Sequence, residues 1–232
     1  MNFKEELLKL NIDLSEDSSF KFEEYYKRLV SVNEVMNLTA ITEHDEVYNK
    51  HFLDSLMILK ALDIKEDFTL CDVGSGAGFP SIPLAIVENR AKVTIIDALN
   101  KRINFLKDLV SHLGLNNVIA IHARAEDFAK EKREFFDVVT ARAVARLNVL
   151  SELCLPLTKV GGLFIAMKGQ SGKEELDEAK RAIETLGGKL ERIITLSLPD
   201  NAGARDIIII KKIKETPKKY PRVFAKIKER PL

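Results

Sequence analysis

The residues best suited to chemistry lie in one stretch, Thr69-Leu70-Cys71-Asp72-Val73-Gly74-Ser75-Gly76-Ala77-Gly78-Phe79-Pro80. Glycine at 74, 76 and 78 permits positive φ and lets a ligand approach the backbone closely. An apolar run precedes this loop and a helical pattern follows it. The loop therefore ends at a helix N-terminus, whose unpaired N–H groups favour an anion. Nineteen residues after Gly78 comes Asp97, closing the run Val93-Thr94-Ile95-Ile96-Asp97. In a doubly wound sheet such a carboxylate accepts both hydroxyls of a bound ribose. Loop and acid together describe a site for a nucleoside that carries an anionic group.

Two details bear on which nucleoside. The glycine spacing is G-x-G-x-G, whereas the dinucleotide fingerprint is G-x-G-x-x-G. Asp72 stands two residues before Gly74, at the carboxyl end of the expected strand. A carboxylate there repels a pyrophosphate and attracts an α-ammonium group; otherwise it is a capped strand end. Both details favour S-adenosylmethionine over NAD, with the methionine carboxylate at the helix N-terminus. An NAD(P)-dependent oxidoreductase stays open as the alternative, since it would use the same turn for its pyrophosphate.

The elements that must position these residues follow from periodicity. From residue 67 onward, short apolar runs at 68–73, 92–97, 118–122, 136–140 and 163–167 alternate with helical stretches, most clearly 101–113. Such alternation implies right-handed βαβ units and a mostly parallel sheet. Runs at 192–198 and 206–213 follow a helix over about 173–186, joined by a short loop with Pro199, Asn201 and Gly203. A connection that short cannot cross over, so this pair is antiparallel. The expectation is an α/β, Rossmann-like class I methyltransferase fold. Its mostly parallel seven-stranded sheet ends in an antiparallel hairpin, and a helical extension precedes it.

That extension is read over residues 1–62, the methyltransferase domain over 63–214 and a basic tail over 215–232. In the extension Phe22, Tyr25, Tyr26, Leu29, Val30 and Val32 recur near helical period. A second helix starts at Thr42, where Thr42 and Asp45 have capping-box-like spacing, and runs through Val47, Phe52, Leu56 and Leu59. Residues 37–41 form the loop between them.

Composition narrows the class. Of 232 residues 46% are hydrophobic and 31% charged, which supports a sizeable core and argues against disorder. No run approaches the roughly 18–20 apolar residues of a membrane span. The first residues carry charge and no apolar signal core, and the two cysteines, Cys71 and Cys154, lack metal-ligand spacing. The reading is a cytoplasmic protein with neither membrane nor metal partner. The net charge of +1 hides an asymmetry: residues 211–232 hold nine Lys/Arg against two Glu, a net +7. Such a tail either seeks an anionic partner or is a solvated surface.

Several segments, in order along nearly the whole chain, resemble the bacterial glucose-inhibited division protein B family. They are Asn37-Leu38-Thr39-Ala40-Ile41, His51-Phe52-Leu53-Asp54-Ser55-Leu56, the glycine loop, Ala125-Glu126, Thr140-Ala141-Arg142-Ala143-Val144-Ala145, Met167-Lys168-Gly169 and Pro217-Lys218-Lys219-Tyr220-Pro221-Arg222. The resemblance implies a methyltransferase of small-subunit ribosomal RNA, acting on guanine N7 in the decoding region of 16S rRNA, free or in the subunit. It carries cofactor contacts onto Gly74, Phe79, Ala125, Glu126 and Arg142. With the loop reading, the expected cofactor set is Asp72, Gly74, Gly76, Gly78, Phe79, Asp97, Ala125, Glu126 and Arg142. Phe79 walls the pocket, Ala125-Glu126 lies near the adenine, and Arg142 stands where methyl and substrate meet. Arg146, Lys168, Lys218, Lys219 and Arg222 are the expected RNA contacts, and His51 is read as packing. The family's tail usually runs on with small residues, where this chain has Val223-Phe224-Ala225-Lys226-Ile227-Lys228.

Absent motifs shape the mechanism. After the run 136–140 there is no Asn/Asp-Pro-Pro-aromatic motif for an exocyclic amine and no Pro-Cys nucleophile for a pyrimidine. Guanine N7 has an in-plane lone pair and no proton to lose, so no general base is nominated and orientation carries the rate. A non-enzymatic RNA-binding ribosome assembly factor on the same scaffold is the second alternative, because fold alone does not fix function.

Overall fold

A computed structural model describes residues 2–63 and 66–232. Its centre is one seven-stranded sheet built from β1 (Phe68–Val73), β2 (Ala91–Asp97), β3 (Val118–His122), β4 (Phe136–Arg142), β5 (Thr158–Lys168), β6 (Gly188–Ser197) and β7 (Ala204–Lys212). The order is β3-β2-β1-β4-β5-β7-β6. Pairings among β1 to β5 are parallel, while β7 runs antiparallel to both β5 and β6. The expected parallel sheet with an antiparallel hairpin at its end is thus the sheet observed. β5 and β6 begin several residues earlier than periodicity predicted. There Gly161, Gly162 and the charged Lys189 and Glu191 interrupt the apolar pattern while the backbone goes on pairing.

Two apolar layers cover the sheet, and alternation along each strand divides the side chains between them. Leu70, Val93, Ile95, Val138, Ile165, Ile207 and Ile209 belong to one layer. It packs against α1 (Phe3–Lys9), α2 (Glu16–Met36), α5 (Ser81–Val87) and α6 (Asn100–His112). Cys71, Val73, Ile96, Val139, Phe164, Ile208 and Ile210 belong to the other. Its helices are α7 (Ala125–Glu131), α8 (Leu147–Cys154), α9 (Gly172–Thr185) and α10 (Phe224–Glu229).

The N-terminal helices sit where they can hold the glycine loop. Ser15 caps α2 by accepting from Ser18 N, and Phe22, Tyr25 and Leu29 form its fully buried stripe. Tyr25 Oη donates to Ala77 O at 2.6 Å, inside the loop. A Cβ at Gly78 would stand 2.8 Å from that hydroxyl and 2.7 Å from Ile82 Cγ1, so α2 and the loop fit only with glycine there.

The next helical run corrects the expected capping box. It starts as α3 (His44–Val47) with Glu43 at its N-cap and no side-chain cap. Thr42 lies outside it, its carbonyl accepting from Tyr26 Oη at 3.2 Å. The run continues as a π-helical turn (Tyr48–Leu53), α4 (Asp54–Leu56) and a 3₁₀ turn (Met57–Ala61). A π-turn inside a helix is often associated with a functional site. Here it carries Asn49, His51, Phe52 and Leu53 into the interior. No helix among the described residues is long and apolar enough to cross a membrane.

Candidate active site at the carboxyl edge of the sheet

Strand order reverses between β1 and β4, both of which pair in parallel and leave their following loops side by side. Open α/β sheets bind ligands in the crevice at such a switch point. The loop after β1 turns immediately: Gly74 N donates to Ile96 O at 2.8 Å, and Gly78 N and Phe79 N both donate to Ser75 O at 3.0 Å. Gly74, Gly76 and Gly78 have φ of 74°, 62° and 108°. At Gly76 no atom lies within 4 Å of where a Cβ would stand, so the loop faces open space.

Beside this loop is a cavity of about 240 Å³, lined among others by Gly74, Asp97, Leu99, Ala125, Glu126 and Val144. Four of the residues expected at the cofactor, Gly74, Asp97, Ala125 and Glu126, therefore meet around one space. Asp97 is held by its own loop, accepting from Leu99 N at 2.8 Å and, at 3.4 Å, from Gly76 N and Arg102 Nη1. It is 4% exposed. Glu126 is 7% exposed, with Arg124 Nη1 4.0 Å away.

Asp72 is fully buried, and neither carboxylate oxygen has a hydrogen-bond donor in bonding geometry. Burial pushes its carboxyl up from near 3.8 to about 7, against the lowering influence of nearby Ser81 and Arg142. Ser75 Oγ in the glycine loop and Ser81 Oγ at the start of α5 are also buried without partners. Unsatisfied buried polar atoms are costly and call for an explanation. A zwitterionic amino-acid moiety, bringing an ammonium and a carboxylate to this loop, fits that donor and acceptor set.

Arg142 closes β4 and reaches toward the N-terminal helices. Its Nη2 donates to His51 Nδ1 at 2.9 Å and to Lys50 O at 3.2 Å. Its Nη1 contacts Ser55 Oγ at 3.1 Å, His51 O at 3.3 Å and Asp54 Oδ2 at 3.4 Å. A guanidinium only donates, so His51 Nδ1 accepts and Nε2 carries the proton, 2.8 Å from Thr39 Oγ1. Burial and the Arg142 charge hold His51 down at about 4, so it is neutral near pH 7. Its ring stacks on Phe79 at 4.5 Å, and Arg142 lies over the same ring at 5.3 Å. Phe79 thus sits in an aromatic stack with Tyr25 and His51 and does not line the adenosine-sized cavity. The wall expected of Phe79 is made by Val144, which stands 2.9 Å from where a Gly74 Cβ would be.

A second, charged cavity of about 440 Å³ adjoins the first across the turn after β4. It is lined by Asp54, Arg142, Lys168, Glu175 and Arg205, among others. Arg142 and Ala143 face it, while Val144 faces the adenosine-sized cavity. Burial raises Asp54, and the Arg142 and Arg205 charges oppose that rise. Lys168 Nζ is 2.7 Å from both Glu175 Oε2 and Ala145 O. Asp54 and Ser55 lay in the His51–Leu56 motif, so a sequence signal for them existed. Arg205 and Glu175 gave none, because each is local to its own element in sequence.

The other residues expected at RNA divide sharply. Lys218 and Lys219 are exposed, and Arg146 is exposed with its guanidinium on Glu178 at 2.6 Å. Arg222 is a correction: its backbone N and Nε both donate to Glu152 Oε1 at 2.8 Å, and Glu152 is fully buried. That guanidinium neutralises a buried carboxylate and fastens the tail to α8, so it is not a free phosphate contact.

A family model described as rRNA small subunit methyltransferase G matches residues 18–204. The chain belongs to that family. A family relative from Lactobacillus acidophilus, "Ribosomal RNA small subunit methyltransferase G", is 53% identical over 231 residues, covering 98% of this chain and 96% of that one. One of the same name from Staphylococcus aureus strain JH9 is 55% identical over 219 residues, covering 94% and 92%. Among solved structures, a SAM dependent methyltransferase from Aquifex aeolicus matches with a TM-score of 0.53 at 20% identity, covering 72% of this chain and 93% of that one. M. jannaschii TYW2 in complex with AdoMet matches at 0.54 and 21%, covering 69% and 77%. These two likenesses are of fold. With the family established, the chain is an S-adenosylmethionine-dependent methyltransferase.

Proposed function

We propose that this enzyme transfers the methyl group of S-adenosylmethionine to N7 of one guanine in the decoding region of 16S rRNA, free or within the small subunit, in the cytoplasm. The observation that carries the reading is the adjacency of two cavities at one sheet edge, an adenosine-sized one and a charged one, divided by the Arg142–Val144 turn. The relatives' name, ribosomal RNA small subunit methyltransferase G, supports the substrate.

The bound cofactor supplies an electrophilic methyl on a sulfonium. The chain's own residues bind and orient. Asp97 accepts from the ribose hydroxyls and Ala125-Glu126 border the adenine. The open face of the Gly74–Gly78 loop takes the carboxylate end, and Asp72, ionised by a neighbouring ammonium, holds the amine. The charged cavity takes the guanine. Asp54 and Glu175 are acceptors suited to N1–H and the N2 amine of its Watson–Crick edge, and Arg142, Lys168 and Arg205 are donors. Held by that edge, the base turns its N7 side toward the first cavity. No residue needs to remove a proton, because N7 carries none. Holding the two reactants in line is worth up to roughly 7–11 kcal/mol. Lys218 and Lys219 contribute phosphate contacts.

A deletion strain tests the reading. Its 16S rRNA should lack one 7-methylguanosine that returns when this chain, and not its Asp97→Ala variant, is supplied. Unchanged methylation in the deletion strain would overturn it, and so would a different restored modification.

A further inference from the structure

The adenosine-sized cavity has a wall that the glycine-loop fold does not supply. Phe224, the first residue of α10, lines it together with residues that follow β1, β2, β3 and β4. The tail is brought there by a chain of anchors. Arg133 donates to Tyr220 O at 2.8 Å, and Thr216 N donates to Glu134 Oε1 at 2.6 Å. Arg222 grips the buried Glu152 on α8, whose neighbour Leu153 also lines the cavity. Past Phe224, Ile227 is fully buried. Phe224 is thus fixed from both sides, yet the residue stays 37% exposed.

Two other large apolar side chains around the same space are also left bare, Leu99 at 45% and Val144 at 40%. Three apolar side chains converge on one cavity, with the acids Asp97 and Glu126 on its lining. A planar purine has that complement: apolar faces, an amine to donate at its edge, and ribose hydroxyls to donate beside it. The cavity is smaller than the roughly 300–1,000 Å³ of a site enclosing a whole drug-sized ligand, which suits the nucleoside half alone.

We propose that Phe224 is an adenine-contact residue, and that the C-terminal segment is part of the cofactor site. This rests on the S-adenosylmethionine assignment and goes beyond it, because it gives the tail a direct part in cofactor binding.

The chain has no tryptophan, so Phe224→Trp introduces a single indole at the site in question. S-Adenosylhomocysteine and 5′-methylthioadenosine should each quench that indole saturably, with the midpoint equal to the calorimetric Kd. Homocysteine should leave it unchanged. Bases gain affinity by stacking on aromatic side chains, so Phe224→Ala should raise the Kd for S-adenosylhomocysteine about tenfold. Phe224→Tyr should restore it to within about threefold of wild type, and the ligand-free melting temperature should hardly move. Indole emission unaltered at saturating S-adenosylhomocysteine would overturn the proposal. So would wild-type affinity in Phe224→Ala, or affinity lost only in step with melting temperature. Failure of the wild-type chain to bind S-adenosylhomocysteine would instead overturn the cofactor assignment, and the proposal with it.

Discussion

At the scale of single residues, the proposed site gives two carboxylates, Asp97 and Asp72, different parts because their environments differ. Asp97 lies at the cavity and already accepts backbone N–H donors from its own loop. On the proposed reading ribose hydroxyls add to that set, and hydrogen bonds to a charged group are worth about 1.5–3 kcal/mol. Asp97→Ala should therefore weaken S-adenosylmethionine binding by about that much in calorimetry, while an unchanged Kd in a folded variant would remove Asp97 from the site. Asp72 is different, because its folded value near 7 lies above its ordinary 3.8. The native state keeps a proton that the unfolded chain releases, so Asp72 lowers ligand-free stability as pH rises from about 4 to 7. Asp72→Asn should remove that part of the pH dependence of the melting temperature. An ammonium reaching Asp72 favours its ionised form, so S-adenosylhomocysteine should bind wild type more tightly at pH 8 than at pH 6 and bind Asp72→Asn with less change. His51 stays neutral across that range, and on the proposed N7 chemistry no base acts in transfer. Single-turnover methylation at saturating cofactor should then be nearly flat between about pH 6 and 8; a bell-shaped profile would mean that a general base takes part.

At the scale of elements, the glycine loop, β1 and β2 were legible because the chemistry there is local: glycines at fixed offsets, an acid at a strand end, an apolar run before each. The antiparallel hairpin was legible from the length of its connection. What sequence could not give was the partner of each long side chain. Arg222 and Glu152 are 70 residues apart, and Arg142 and Asp54 meet only because the π-turn and β4 end at one edge. The tail's charge suggested one role for all its cations, but burial divides them. Replacing Lys218 and Lys219 with Ala should reduce the log–log salt slope of RNA binding by about 1–2 and leave stability near wild type. Arg222→Ala strands a buried carboxylate and should cost about 2–4 kcal/mol of stability, somewhat less than the roughly 3–5 kcal/mol of a fully buried pair because the arginine is partly exposed. Chemical denaturation and salt-dependent filter binding separate the two. A salt slope unmoved by the lysine pair would end their role at RNA.

At the scale of the whole molecule, one sheet edge gathers the glycine loop, Asp97, Arg142 and both cavities. The N-terminal helices hold the glycine loop through Tyr25 and hold Arg142 through the His51–Ser55 turn. The C-terminal segment crosses to the same edge from the opposite face of the sheet. Both terminal segments therefore border the proposed site, and truncating either should impair cofactor binding as well as RNA binding. The most direct measurement is transfer of a radiolabelled methyl group from S-adenosylmethionine by the purified chain to small subunits or their rRNA from a deletion strain, with the product digested to nucleosides and mapped. Label confined to 7-methylguanosine at one position in the decoding region is the expected result. Label in another nucleoside, or no transfer to either RNA form by protein that binds S-adenosylhomocysteine, would contradict it.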